Sequence, residues 1–168
     1  MANQVTFQGN PLNLEGNLVK LGDKALDFSV VNVDLKKRSL VDYAGKVKVI
    51  TTFPSIDTPV CDLQVREFNK RAAGLSKDVV IIGISKDLPF AQKRFCGAHG
   101  ISGVEILSDY KSADFSIKYG LHIKELALTA RSVIIVDKND KVKYVQLVKE
   151  MTQSPNFDEV FAELKKMV

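Results

Sequence analysis

Two cysteines are the residues of this sequence with the widest scope for chemistry, and the first, Cys61, ends the stretch FPSIDTPVC. Apolar residues recur at helical spacing after it, which predicts a helix over about residues 59–74. Thr58 is a good N-cap residue and Pro59 suits the first helical position, so Cys61 falls in the first turn. The unpaired N–H groups and the positive end of the helix dipole stabilise a thiolate there relative to a thiol.

The alternative for Cys61 is an ordinary core cysteine, because it shares one helix face with Val65 and Phe68. A core cysteine, however, requires neither a helix N-terminus nor the prolines and threonine that precede this one. The sequence therefore favours a reactive thiol. Asp57 and Asp62 oppose its ionisation as like charges, so a cation from elsewhere in the chain would be useful.

The second thiol, Cys96, lies near the end of a helix that is predicted to start at Pro89 and to stop at Gly97. The negative end of a helix dipole disfavours a thiolate, so this thiol should stay protonated. Taken alone, Cys96 would be interpreted as a small buried residue at a helix end. Taken together, the two cysteines lie at opposite helix ends, one that favours a thiolate and one that disfavours it. This difference suits an attacking thiol and a resolving thiol.

The elements that must position these thiols alternate between strand and helix. The N-terminal segments VTFQG and LNLEG predict a hairpin around an Asn10-Pro11 turn. Strands are predicted for 28–34, 46–52, 78–85 and EILSD, helices for 59–74, 89–96, SADFSIKYG and NFDEVFAELKKM, and a late hairpin for RSVIIVDKNDKVKYVQLV. This order predicts an α/β fold with a mixed central sheet and helices on both faces. With no repeat and no linker, residues 1–168 are expected to form a single domain.

Charge and hydropathy argue against several classes of protein. The net charge of +4 is spread along the chain, and its densest cluster, Lys36-Lys37-Arg38, is too short to predict nucleic-acid binding. No apolar run approaches the ~18 residues of a transmembrane helix. The start, MANQVTFQGN, does not match a signal peptide, so a cytoplasmic protein without membrane contact is expected.

A metal site is not predicted. The sequence has no Cys-x-x-Cys pair, and its two histidines, His99 and His122, share no ligand spacing with either thiol.

Three motifs carry a resemblance to a known family. Pro54, Thr58 and Cys61 in PSIDTPVC match the Pro-x-x-x-Thr/Ser-x-x-Cys pattern of peroxiredoxins. DTPVC followed by RFCG and later by ARSVIIVD closely resembles the bacterial thiol peroxidase branch, whose members are atypical two-cysteine peroxiredoxins. The similarity extends over almost the whole chain.

The resemblance implies a thioredoxin-like fold with an added N-terminal β-hairpin, and it implies a role for each site residue. Cys61 would be the peroxidatic cysteine and Cys96 the resolving cysteine. Thr58 would bond the peroxide and orient the thiolate, and Pro54 would shield the pocket from water. Arg131 of ARSVIIVD would be the cation near the thiolate, although its position before a buried strand by itself predicts only an edge ion pair.

The implied activity is the reduction of hydroperoxides, alkyl or lipid hydroperoxides in preference to hydrogen peroxide. Cys61 would become a sulfenic acid, condense with Cys96 to an intramolecular disulfide, and be restored by thioredoxin. The resemblance further implies a homodimer and no bound cofactor.

Two other functions fit parts of the sequence. Cys61 could be an acyl nucleophile with His99 or His122 as its base, which would leave Cys96 without a role. A redox sensor or thioredoxin-fold binding module could form the same disulfide but turn over slowly.

Overall fold

Two sheets organise the chain in the computed structural model, which describes residues 3–168. The strands are β1 (Gln4–Phe7), β2 (Asn10–Glu15), β3 (Val30–Asn32), β4 (Lys37–Arg38), β5 (Val47–Thr52), β6 (Val79–Ser85), β7 (Glu105–Ser108), β8 (His122–Ile123), β9 (Leu128–Thr129), β10 (Ser132–Val136) and β11 (Val142–Leu147). The helices are α1 (Pro59–Ala72), α2 (Pro89–His99), α3 (Asp114–Lys118) and α4 (Phe157–Lys165), and a 3-10 turn spans Leu40–Tyr43.

The central sheet has seven strands in the order β11-β10-β5-β6-β7-β3-β4. β5, β6 and β7 are parallel to one another, whereas β10, β11, β3 and β4 pair antiparallel with their neighbours. The predicted mixed sheet is confirmed, although the strand expected over 28–34 forms pairs only over β3. α1 follows the carboxyl end of β5, the edge at which open α/β sheets place their binding sites.

Helices cover both faces of this sheet, as predicted. Along β10, Val133 and Ile135 join one apolar core while Ile134 and Val136 join the other, because alternate side chains of a strand point to opposite faces. The first core contains buried side chains of α1, α2 and α4, here Phe68, Phe95 and Leu164. The second contains Phe115 of α3 together with Val5 and Leu14 of the N-terminal hairpin.

The N-terminal hairpin is present, but its predicted turn is wrong. The turn residues are Gln8 and Gly9, both with positive φ (51° and 83°), and Phe7 pairs with Asn10. Asn10 and Pro11 therefore open β2. A two-residue hairpin turn of type I′ needs positive φ at both central positions, which glycine adopts freely. β2 also pairs with β8, and this pairing joins the hairpin to the rest of the fold.

The predicted end of α2 at Gly97 is also wrong, because the helix continues to His99. Gly100 has a left-handed backbone (φ 61°), and its N–H donates to the carbonyl of Cys96. Glycine is the usual residue at such a C-cap, whereas within a helix it costs only about 1 kcal/mol. Cys96 consequently lies in the last turn of α2.

Within residues 3–168, no helix is both long and apolar enough to span a membrane. The same residues contain no group of three His, Cys, Asp or Glu side chains that could hold a metal ion.

Candidate active site

The turn before Cys61 builds the start of α1 as predicted, with Thr58 at the N-cap and Pro59 as the first helical residue. Thr58 has an extended backbone (φ −98°, ψ 148°), but its hydroxyl does not cap the helix. It donates instead to the carbonyl of Ser55 at 3.1 Å. The backbone N–H groups of the first turn are therefore not taken up by this side chain.

Cys61 is fully buried, and its sulfur is contacted by a buried arginine. Arg131, whose side chain is only 2% exposed, donates from Nη1 to Cys61 Sγ at 3.3 Å and to Gln64 Oε1 at 2.8 Å. Its Nη2 donates to the carbonyl of Met151 at 2.7 Å. The guanidinium is thus held from the α1 side and from the chain after β11.

The charge of Arg131 has no carboxylate partner among residues 3–168, so the predicted edge ion pair is wrong. A buried charge is costly unless an opposite charge or several hydrogen bonds compensate it. Of the three groups that Arg131 contacts, only the sulfur of Cys61 can carry a negative charge. The arrangement therefore sets a buried cation against the sulfur of Cys61, where it can stabilise negative charge.

Gln64 connects this pair to the sheet, a role that the sequence reasoning missed. It is fully buried one turn after Cys61, and its Nε2 donates to Thr51 Oγ1 at 2.6 Å and to the Thr52 carbonyl at 3.0 Å. Its Oε1 accepts from Arg131, so both ends of the amide are engaged. A polar residue three positions after Cys61 on an otherwise apolar helix face was the available signal.

A cleft of about 460 Å³ lies over the first turn of α1. The loop before α1 and the face of α2 line it with both polar and apolar side chains: Ile56, Asp57, Thr58, Pro59, Asp62, Arg94, Phe95, Ala98 and His99. Asp57 and Arg94 form an exposed ion pair at 3.6 Å between the loop and α2. The cleft therefore lies beside the first turn of α1 and is bordered by the helix that carries Cys96, while Cys61 itself is buried beneath this turn and does not line the cleft.

Cys96 is a free thiol like Cys61, but it is only partly buried. Its side chain packs against the same apolar core that contains Cys61. Burial raises the pKa of the Cys96 thiol, which agrees with the protonated state expected near a helix C-terminus.

Comparison with known proteins identifies the family. The Redoxin family profile matches residues 20–161. The chain is 51% identical over 162 residues to the thiol peroxidase of Oceanobacillus iheyensis, an overlap that covers 96% of this chain and 98% of that protein. It is 49% identical to the thiol peroxidase of Bacillus subtilis over 98% of each chain. The chain belongs to the bacterial thiol peroxidase branch of the redoxin family.

The fold of this redoxin agrees with that assignment. A peroxiredoxin-like protein from Aquifex aeolicus superposes with a TM-score of 0.93 at 43% identity, covering 100% of this chain and 99% of that one. The predicted thioredoxin-like fold with a mixed sheet and flanking helices is confirmed.

The redoxin structure brings only some of the predicted site residues into direct contact. Cys61 and Arg131 form a hydrogen bond, whereas Thr58 borders the cleft and Pro54 is buried in the loop before it. Cys96 lies on the neighbouring helix and has no bond to Cys61.

The two histidines of this redoxin are not placed as bases for Cys61. His99 packs its ring against Phe95 at 4.5 Å between ring centres, and His122 lies on β8 opposite Glu15. Neither donates to or accepts from Cys61 in the described part of the chain, so the acyl-transfer alternative has no supporting contact.

Proposed function

We propose that residues 1–168 form a single-domain, thiol-dependent peroxidase in which Cys61 is oxidised by hydroperoxides. The observation that carries the proposal is the 3.3 Å contact between Arg131 Nη1 and Cys61 Sγ, in a buried setting where Arg131 has no carboxylate partner within residues 3–168. This contact favours a thiolate, which is the nucleophilic form of cysteine. Membership of the thiol peroxidase branch supports peroxide as the electrophile.

In the first step, the Cys61 thiolate attacks one oxygen of the hydroperoxide, and the O–O bond breaks. Cys61 becomes a sulfenic acid, the peroxide is reduced by two electrons, and the departing oxygen leaves as an alkoxide that takes a proton to become an alcohol. Arg131 can stabilise the negative charge as it passes from sulfur to oxygen, because its donors are already fixed in place.

Thr58 and Pro54 are assigned supporting roles in this step. The Thr58 hydroxyl borders the cleft and, in the structure, donates to the Ser55 carbonyl. A peroxide oxygen in the cleft would accept a bond from the same hydroxyl. Pro54 is buried directly after Phe53, which supports its proposed role of limiting the access of water to the sulfur. Ile56, Phe95 and Ala98 give the cleft an apolar part that suits alkyl hydroperoxides.

In the second step, the Cys96 thiol condenses with the sulfenic acid, which releases water and forms a Cys61–Cys96 disulfide. The two thiols belong to the first turn of α1 and the last turn of α2, and Cys61 is fully buried. Because a disulfide requires specific backbone spacing, we infer that one of these turns unwinds before the bond forms. A dithiol reductant, thioredoxin, then restores both thiols, and the protein acts as a homodimer in the cytoplasm.

Peroxide consumption in the presence of thioredoxin and its reductase tests the proposal. The wild-type protein should consume many equivalents of hydroperoxide, and Cys61→Ser should consume none above background. Cys96→Ser should allow one oxidation of Cys61 but no thioredoxin-dependent turnover. Consumption of about one equivalent by the wild-type protein would support the redox-sensor alternative instead.

A further inference from the structure

The chain after β11, residues 149–152, runs beside Arg131 and fixes one side of its guanidinium. The N–H of Val148, just before this segment, donates to the Arg131 carbonyl at 3.0 Å. The carbonyl of Met151 accepts from Arg131 Nη2 at 2.7 Å. Because both acceptors that Nη1 bonds, Cys61 and Gln64, belong to α1, Met151 provides the anchor on the opposite side.

The N-terminal hairpin holds this 149–152 segment in place through the backbone. The N–H of Thr6 donates to the Lys149 carbonyl at 2.7 Å, and the N–H of Met151 donates to the Thr6 carbonyl at 2.8 Å. Met151 thus bonds the hairpin with its N–H and Arg131 with its carbonyl. A shift of the hairpin would therefore move Met151, and with it the carbonyl that accepts a hydrogen bond from Arg131.

The Glu150 carboxylate strengthens the contact between the N-terminal hairpin and the 149–152 segment with five hydrogen bonds. It accepts from the Thr6 hydroxyl at 2.8 Å, from the N–H groups of Gln8 (3.2 Å) and Gly9 (2.9 Å), and from the N–H (2.9 Å) and hydroxyl (2.7 Å) of Thr152. These bonds, that of the Thr152 hydroxyl first among them, lower the pKa of Glu150 to about 2. The carboxylate therefore ties the hairpin turn to the 149–152 segment as an anion at neutral pH.

We propose that Glu150 is a positioning residue for the oxidation of Cys61, a role that rests on the proposed peroxidase function. By fixing the hairpin on the 149–152 segment, Glu150 holds the Met151 carbonyl where it orients Arg131 toward the sulfur. The N-terminal hairpin is thereby part of the support of the active site, although none of its residues contacts Cys61 in the described chain.

The expected slowing of Cys61 oxidation depends on how far the Arg131 guanidinium moves when its Met151 anchor is lost. Arg131 is planar, and its two terminal nitrogens are held on opposite sides. Loss of the Met151 anchor would allow the plane to rotate away from the sulfur. Misplacement of a catalytic group by 1 Å can cost ~100-fold in rate, so a partial loosening is expected to cost about tenfold.

Glu125 provides a matched control on the same hairpin. Its carboxylate accepts from the N–H of Asn13 at 3.0 Å and from Asn13 Nδ2 at 2.7 Å, so it also binds the hairpin through a carboxylate, here on an exposed residue. It follows β8, and within residues 3–168 its recorded hydrogen bonds go to Asn13 and not to the 149–152 segment. Glu125→Ala therefore weakens hairpin docking without changing the environment of Met151.

The experiment measures the rate of the first oxidation of Cys61 in a Cys96→Ser background, at a temperature where circular dichroism shows every variant to be folded. Glu150→Ala should slow the oxidation about tenfold, whereas Glu125→Ala should stay within about twofold of the parent. In an Arg131→Gln background, Glu150→Ala should cause no further slowing, because its effect acts through Arg131. If Glu150→Ala does not fold, Glu150→Gln, which keeps one acceptor oxygen, should show a smaller slowing in the same pattern.

Equal rates for the Glu150 and Glu125 variants would overturn the positioning role, and so would an undiminished effect of Glu150→Ala in the Arg131→Gln background. Failure of the proposed function has a different signature, because the parent protein itself would then leave the hydroperoxide unreduced.

Discussion

Arg131 Nη1 lies 3.3 Å from Cys61 Sγ, although the two residues are 70 positions apart in the chain. The sheet register explains this proximity. β10 begins at Ser132 and pairs antiparallel with β5, which places Ser132 opposite Thr52. Arg131 therefore stands beside the end of β5, from which the chain leads through Pro54 into the first turn of α1. The cation and the thiol are brought together by two neighbouring central strands.

Replacement of Arg131 should slow the oxidation of Cys61 according to how much of the guanidinium contact is lost. Arg131→Met removes both the charge and the donors, and we expect a loss of ~10²–10³-fold in the second-order rate constant with hydroperoxide. Arg131→Lys keeps the charge but has a single nitrogen, which cannot bond Cys61 and Met151 from two sides. Its rate should fall between those of Arg131→Met and the wild type. An unchanged rate in Arg131→Met, measured by rapid mixing, would contradict this role.

Gln64→Leu should slow Cys61 oxidation about tenfold, because it removes the acceptor that steadies Arg131 Nη1. It should also lower stability by about 1–3 kcal/mol, since the Thr51 hydroxyl and the Thr52 carbonyl lose a buried partner. Urea unfolding measures the second effect and rapid mixing the first.

Gln92→Leu is the matched control, because Gln92 is equally buried and donates to Ser85 Oγ and the Leu107 carbonyl without touching Arg131. It should lower stability by a similar amount while the oxidation rate stays within about twofold. A comparable slowing in both variants would show that the rate follows stability and not the Arg131 contact.

The thiol of Cys96 should be slow to alkylate at neutral pH. Burial raises its pKa above the ordinary value of 9.0, so the thiolate is scarce until the solution is more alkaline than that. In Cys61→Ser, the rate of alkylation by iodoacetamide should rise with pH and level off only above this ordinary value. Alkylation that has already levelled off at neutral pH would contradict the assignment of Cys96 as the protonated, resolving thiol.

The raised pKa of Cys96 also predicts how the free energy of unfolding changes with pH. The unfolded chain loses the Cys96 proton at a lower pH than the folded chain does. The contribution of the Cys96 thiol to the free energy of unfolding is therefore complete below pH 9.0 and is lost as pH rises through the folded-state pKa. Cys96→Ala should flatten this alkaline loss, as measured by urea unfolding across the range.

Glu150 should make the protein sensitive to acid in a defined window. Its pKa falls from 4.5 to about 2 through the hydrogen bonds of the folded state. The contribution of Glu150 to the free energy of unfolding is therefore present above pH 4.5 and is lost as pH falls toward about 2. Glu150→Gln should lose less stability over this window than the wild type does, when both are compared by urea unfolding. Parallel loss in the two proteins would show that the carboxylate is not bonded as described.

The helix start at Cys61 could be predicted from the sequence because its signals are local: Thr58 and Pro59 mark the N-terminus within three residues of the thiol. The hairpin turn was assigned wrongly, since Asn10-Pro11 is a common turn pair while Gln8 gives no local indication of positive φ. The prediction that Arg131 is the cation beside Cys61 rested only on the family resemblance, because the position of Arg131 before β10 does not reveal which residue it faces. The Met151 anchor could not be predicted at all, since every residue has a backbone carbonyl.

If Cys61 is the nucleophile that takes an oxygen atom from the peroxide, this atom can be located by mass spectrometry of Cys96→Ser after treatment with one equivalent of hydroperoxide. We expect the gain of one oxygen atom, located on the peptide that contains Cys61 and captured there by dimedone as a sulfenic acid. Wild-type protein treated in the same way should instead contain a disulfide that joins the Cys61 and Cys96 peptides. An unmodified Cys61 in Cys96→Ser after the hydroperoxide has been consumed would show that Cys61 is not the residue that peroxide oxidises.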